Sequence, residues 1–242
     1  METGDSASRF STTHWSLILA AAKSNDTGAR QAMERLCQKY WYPVYAFLRR
    51  KGNSPHDAED LAQDFFAGLF SHDWLNGVSS AKGRFRSFLL ACLKNHVSHV
   101  RARASGPTRH PGRPLISIDA QAAEERYAFE PADISDPATL FERRLAFTLI
   151  DTTLRALRDE YAEKSEAAQF DALREHLVGD AARGSYAQTA GRLRMSEGAV
   201  RVAVTRLRQR FREQLRAEVS RLVEDPRDVD LEIQYLLGRS GH

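Results

Sequence analysis

The sequence predicts an all-α chain of two small helical domains joined by a flexible linker. Three observations predict it. Apolar residues recur at steps of three and four over most of the chain, the spacing of one helix face. No run shows the two-residue alternation of a strand. From Ser105 to Pro137 the periodicity stops, and Pro107, Pro111, Pro114, Pro131 and Pro137 punctuate the stretch, which reads as an interdomain linker. At 242 residues the chain is long enough for one or two domains with cores of their own.

The elements follow in order. Residues 1 to about 12 are polar and read as disordered, and Thr13 can cap a helix beginning at Trp15. Between Ala29 and Arg50, Met33, Leu36, Cys37, Tyr40, Val44, Phe47 and Leu48 form an inward stripe broken only by Pro43. Ser54 can cap the next helix and Pro55 suits its first position, so a helix is expected through Phe70. Ser71 to Gly83 reads as a loop. A long helix then spans about Arg84 to Arg103, with Phe85, Phe88, Leu89, Cys92, Leu93, His96 and Val100 inward. Helical pattern resumes from Ala138 to about Asp159 and again over about Ser165 to Val178. The chain closes on a helix with Asp225 at its cap and Pro226 after it.

The stretch from Ser185 to Leu215 carries the chemistry. Ser185 and Gln188 have the spacing of a capping box at the start of a short helix. After a break, Ser196 can cap a second helix in which Val200, Val204, Leu207, Phe211 and Leu215 share one face. Arg201, Thr205, Arg208 and Arg212 repeat those steps one residue on, flanked by Arg206 and Arg210. Ala190 supplies the small residue that two crossing helices need, and Val200 packs from the second helix. This is the layout of a helix-turn-helix, whose second helix enters the DNA major groove. Arginine reads guanine with two hydrogen bonds or grips phosphate, and one rigid helix delivers several at once. Arg194 stands where the turn often has glycine, so the turn is expected to tolerate a Cβ.

Net charge is only +3, but it is unevenly placed. Between Gly52 and Ala81 there are five acids and no Lys or Arg; between Trp74 and Ile118 there are eight Lys or Arg and no acid. Such blocks point to two partners on two surfaces. The two cysteines, Cys37 and Cys92, lie on apolar helix faces and read as reduced core thiols of a cytoplasmic protein. No signal peptide is evident and no apolar run approaches the ~20 residues of a membrane span, so membrane insertion is not expected. The eight histidines are scattered without metal-ligand spacing, and no nucleophile or phosphate-loop motif occurs. No metal, no cofactor and no catalysis are therefore expected.

Three stretches carry a resemblance. "DAEDLAQDFF" from Asp57, "GRFRSFLLACLKNHV" from Gly83, and "SYAQTAGRLRMSEGAVRVAVTRLRQRF" from Ser185 resemble, in that order, the extracytoplasmic-function (ECF) group of bacterial RNA polymerase sigma factors. The resemblance implies an N-terminal segment over 1–28, sigma region 2 over 29–104, a linker over 105–137, sigma region 4 over 138–220 and a helical tail over 221–242. It implies a non-enzymatic sigma factor that binds core polymerase through the β′ clamp and β flap, directs it to −35 and −10 promoter elements and helps melt the DNA. An anti-sigma factor is a further candidate partner.

Residue by residue, the resemblance places Asp60, Gln63 and Asp64 against core polymerase. It places Ser79, Ser80, Lys82, Arg84, Arg86, Asn95 and Arg101 at the −10 strand. Arg201, Val202, Thr205 and Arg206 match positions that read or approach the −35 element, with Ser196 and Arg208 beside them. The alternative is a helix-turn-helix regulator that never touches core polymerase. It would need a sensor or dimerisation domain in the first half, and no ligand fold is visible there.

Overall fold

The computed structural model describes residues 27–69, 84–102, 120–130, 132, 136–177 and 185–240. The described residues form helices and turns, with no strand among them. They divide into two compact units: residues 1–147 with 220–242, and residues 148–219. The expected cap at Thr13, the helix from Trp15 and the loop from Ser71 to Gly83 lie outside the described residues.

In the first unit, α1 (Thr27–Arg50) is the central helix. Every residue from Tyr40 to Leu48 is buried. Pro43 within it removes one intrahelical hydrogen bond, and packing on all sides of that turn compensates. The chain leaves α1 through Gly52, whose φ of +89° suits a residue without a Cβ. Asn53 Nδ2 donates to the Leu48 carbonyl at 2.7 Å, closing the helix end. Ser54 then accepts from the Asp57 amide at 3.1 Å and donates to its carboxylate at 2.7 Å, which starts α2 (Pro55–Leu69) with Pro55 at its first position. Ala58, Ala62, Phe65, Phe66 and Leu69 are the buried face of α2. On α3 (Phe85–Ala102) the buried stripe is Phe85, Leu89, Leu93 and Val97 at steps of four.

Aromatic rings join these helices. Trp41 stacks on Phe66 at 6.0 Å and Tyr40 meets Phe85 edge-on at 5.4 Å. Phe88, Cys92 and His96 are half-buried, and Val100 is exposed rather than inward because the stripe ends at Val97. Neither cysteine is in a disulfide. Burial pushes the Cys37 thiol well above its ordinary pKa, which keeps it protonated and inert.

The stretch read as a flexible linker contains a helix, α4 (Ala120–Ala128), and this corrects that reading for residues 120–130. Among the α4 residues whose burial is described, Ala123 is the one buried apolar residue, so apolar periodicity could not reveal it. Its order comes from polar contacts to α1. Glu124 accepts from Arg49 at 2.7 and 2.8 Å and from the Tyr45 hydroxyl at 2.5 Å. The Arg49 hydrogen bonds and the Tyr45 hydroxyl hold the Glu124 carboxyl below the usual range. Glu130 takes the Tyr42 hydroxyl and pairs with Arg144, and Arg126 lies over the Tyr42 ring at 4.0 Å.

Helix α5 (Pro137–Glu163) starts at an Asp136 cap, which accepts from the Thr139 amide at 3.0 Å. The division between the units falls within this helix. The first unit closes with residues 220–240. Here Leu222 and Val223 are buried, Asp225 caps a short 3-10 turn over Pro226–Asp228, and α9 (Val229–Ser240) buries Val229, Glu232 and Leu236. The Asp225 cap was legible in the sequence, although it begins a 3-10 turn and not the helix itself.

The second unit holds the rest of α5, α6 (Ala167–Leu173), a 3-10 turn over Arg174–His176, α7 (Tyr186–Leu193) and α8 (Glu197–Ser220) up to Val219. Leu157, Phe170, Leu173, Ala190, Val200, Val204 and Leu207 form its buried cluster, with Phe211 packed on it. Ala190 and Val200 therefore meet in one core, as their spacing predicts.

Candidate nucleic-acid interface

The second unit presents a short helix, a tight turn and a long arginine-bearing helix. Ser185 accepts from the Gln188 amide at 3.1 Å, and Ser196 accepts from the Ala199 amide at 3.2 Å, so both predicted caps are formed. Arg194 between them adopts the left-handed conformation, with φ 52° and ψ 42°. The Met195 amide returns to the Ala190 carbonyl at 3.0 Å, the closure of a Schellman-type turn. The turn therefore accommodates a residue with a Cβ, in a left-handed conformation. The turn is the kind that favours glycine, and Arg194 occupies it at a cost of about 1–2 kcal/mol.

Packing decides which arginines of α8 face outward. Arg208 is half-buried, and its Nε and Nη2 donate to the His176 carbonyl at 3.1 and 2.8 Å. These two donors therefore close the 3-10 turn before α7. The His176 ring lies flat on Tyr186 at 4.7 Å and its Nε2 pairs with the Thr189 hydroxyl at 2.8 Å. Arg201 donates to Glu197 at 2.7 Å and sits 4.8 Å from the Tyr186 ring centroid, although it remains exposed. The Thr205 hydroxyl donates to the Arg201 carbonyl at 2.9 Å.

Val202, Thr205, Arg206 and Gln209 share the outward face of α8, and Val202 is 51% exposed. Among the described residues, Arg206 and Arg212 have no hydrogen bond, ion pair or ring contact, and both are exposed. Arg212 belongs with Arg206 as a free cation and was not among the expected readers. Its position in the step series was the available signal.

In the first unit, the acidic residues of α2 lie away from its buried face. Asp60 is exposed and 3.9 Å from His56 Nδ1. Gln63 is half-buried and donates to Glu59 at 3.3 Å, and Asp64 is half-buried one turn on from Asp60. Helical steps of three and four bring the three expected residues together on that side.

The expected −10 residues are not brought together as one basic face. Asn95 and Arg101 are exposed on α3, and Arg101 donates to the Lys51 carbonyl at 3.0 Å. Ser79, Ser80 and Lys82 lie outside the described residues. Arg86 is only 5% exposed and is held by Glu142 at 2.5 Å and by Glu232. Arg84 Nε lies 3.1 Å from the same Glu232. Glu232 was missed in the sequence because Arg86 lies 146 residues away and Arg84 farther still.

No cluster of three His, Cys, Asp or Glu side chains able to hold a metal occurs among the described residues, and none of their helices is long and apolar enough to cross a membrane. Comparison with curated proteins and with solved structures finds no match to the chain. Residues 36–105, which hold most of α1, all of α2 and α3, and the residues between those two, match the family model for Sigma-70 region 2.

Proposed function

We propose that the chain is an alternative sigma factor of the ECF group. It binds core RNA polymerase, carries it to −35 and −10 elements and promotes melting, without catalysis of its own and within the cytoplasm. Residues 29–104 act as region 2, and the helix-turn-helix within 138–220 acts as region 4. The observation that carries the reading is the coexistence in one chain of a Sigma-70 region 2 match and a capped helix-turn-helix with an unpaired Arg206 on its outward face.

The physical roles follow from the surfaces. The carboxylates of Asp60 and Asp64 suit arginines of a partner helix and would steer the encounter with the β′ clamp. Arg206, with Val202 and Thr205 beside it, is placed to approach base edges or phosphates of the −35 duplex. Ser196 stands at the end of α8 that enters the groove first in helix-turn-helix proteins, and Arg201 flanks the same end. Asn95 and Arg101 are the described −10 candidates open to solvent.

The test is co-elution of the purified chain with core polymerase in the absence of DNA. Co-elution is expected, and it is expected to fail for the Asp60→Lys, Asp64→Lys double variant while that variant keeps its helical circular dichroism. Normal core binding by a folded double variant overturns the assignment of α2. Absence of core binding by the wild-type chain, with DNA binding retained, leaves the helix-turn-helix regulator instead.

A further inference from the structure

Helix α9 supplies a carboxylate to two arginines at the start of α3, Arg84 and Arg86. One carboxylate, Glu232, bridges two guanidinium groups: its Oε1 takes Arg86 Nε, and its Oε2 lies 3.1 Å from Arg84 Nε. Glu142 on α5 holds the other side of Arg86 at 2.5 Å. The Tyr235 ring covers the Arg86 guanidinium at 4.0 Å, and its hydroxyl donates to Glu142 at 2.7 Å. The Phe85 amide, one of the orphan donors of the α3 N-terminus, donates to the Leu222 carbonyl at 3.0 Å. Glu232 is fully buried, so this contact excludes water.

The geometry is that of an anion held between two arginines at the start of α3, with the Phe85 amide there taken by the Leu222 carbonyl. Two oxygens of one carboxylate engage two guanidiniums, as two oxygens of a phosphodiester would. The sequence around Glu232 adds to the likeness. From Glu224 to Glu232 there are five acids and one base, Arg227, which is itself paired with Asp225 at 2.6 Å. With α9 in place, the Arg84, Arg86, Glu142, Glu232 group is neutral. With α9 withdrawn, Arg86 keeps Glu142, Arg84 loses the carboxylate it faces, and the group carries a net positive charge.

We propose that α9 is an intramolecular stand-in for a polynucleotide backbone, so that this helix and a nucleic-acid strand compete for Arg84 and Arg86 at the N-terminus of α3. The competition rests on the region 2 reading only for the identity of the strand. Its thermodynamics are reciprocal: a strand that takes the arginines loosens α9, and loosening α9 strengthens the strand. Buried ion pairs suit such an exchange. Their mutual attraction is largely offset by lost hydration, so trading one anion for another has a small net cost.

The experiment uses the full chain with a short fluorescent single-stranded DNA as probe. Hydrogen exchange of the α9 amides is measured with and without it. Faster exchange in α9 when the strand is bound supports the proposal; unchanged or slower exchange overturns it. In parallel, Glu232→Gln is compared with wild type by fluorescence anisotropy across a salt series. The variant is expected to bind about tenfold more tightly at low salt, with a log–log salt slope steeper by about 0.7 for each freed arginine. Equal affinity and slope in a folded variant overturn the proposal. Should the variant lose its helical signal, the wild-type exchange measurement decides alone. Core polymerase enters neither measurement, so failure to co-elute with core would remove the sigma reading and leave this result standing.

Discussion

Arg206 on α8 and Arg86 on α3 both lie in arginine-bearing, acid-poor helical stretches, yet the two units treat them oppositely. Arg206 is exposed and has no partner among the described residues. Arg86 is buried between two carboxylates and a tyrosine ring. The difference lies in what covers each helix. The second unit packs α8 by its apolar stripe and leaves one side in water. The first unit brings α5 and the far end of the chain over the start of α3. A local run of positive charge therefore does not by itself mark a nucleic-acid surface. The carboxylates that fold back on it decide.

Five substitutions break or sharpen this comparison. The largest effect is expected from Val204→Asp, which puts an unpaired charge in the cluster under α8 and removes about 4 kcal/mol or more of stability. Hydrogen exchange should show α7 and α8 losing protection while α1 to α3 keep theirs; uniform loss would mean that the two units fold as one.

Arg86→Met comes next. It removes the cation that Glu142 and Glu232 share, leaving Glu232 with Arg84, and should destabilise the first unit by about 3–5 kcal/mol in urea unfolding. Replacing both glutamates by leucine in that variant should recover most of the loss. Failure to recover would mean that the network holds the helices by geometry that apolar side chains cannot reproduce.

Arg206→Ala should leave thermal stability unchanged and weaken binding to −35 duplexes by about 1–3 kcal/mol, at sites carrying one particular base if it reads a guanine. Arg208→Ala should do the reverse, removing about 1 kcal/mol of stability because the His176 carbonyl loses both donors. Equal effects of the two on unfolding would show that α8 is rotated from the orientation described. The smallest effect is Arg194→Gly, which relieves a left-handed residue and should stabilise the second unit by about 1 kcal/mol. A loss of stability there would mean that the Arg194 side chain makes contacts outweighing its backbone.

What the sequence revealed divides along the same lines. The stripe of Val200, Val204 and Leu207 and the caps at Ser54, Ser185 and Ser196 depend on neighbours within a few residues, and they were legible. So was the separation of acids from the apolar face of α2. Helix α4 was not legible, because nine residues with one buried alanine have no stripe and its anchors on α1 are 75 and 79 residues distant. Nor was the inward turn of Arg208, since nothing near it announces that the His176 carbonyl needs a donor. The same holds for Arg86, whose local surroundings are free of acids.

The hydrogen bond from the Phe85 amide to the Leu222 carbonyl has a consequence in time. The first unit is discontinuous: residues 148–219 form the other unit and are interposed in the chain between its two parts. A ribosome that has just added Arg86 must add another 146 residues before Glu232 exists, roughly 7–30 s of synthesis at about 5–20 residues per second. For most of that interval the start of α3 has its apolar stripe but neither its amide acceptor nor the Glu232 carboxylate. The interposed unit has all its residues sooner, so it can be complete while the older part of the chain is still waiting for its last helix.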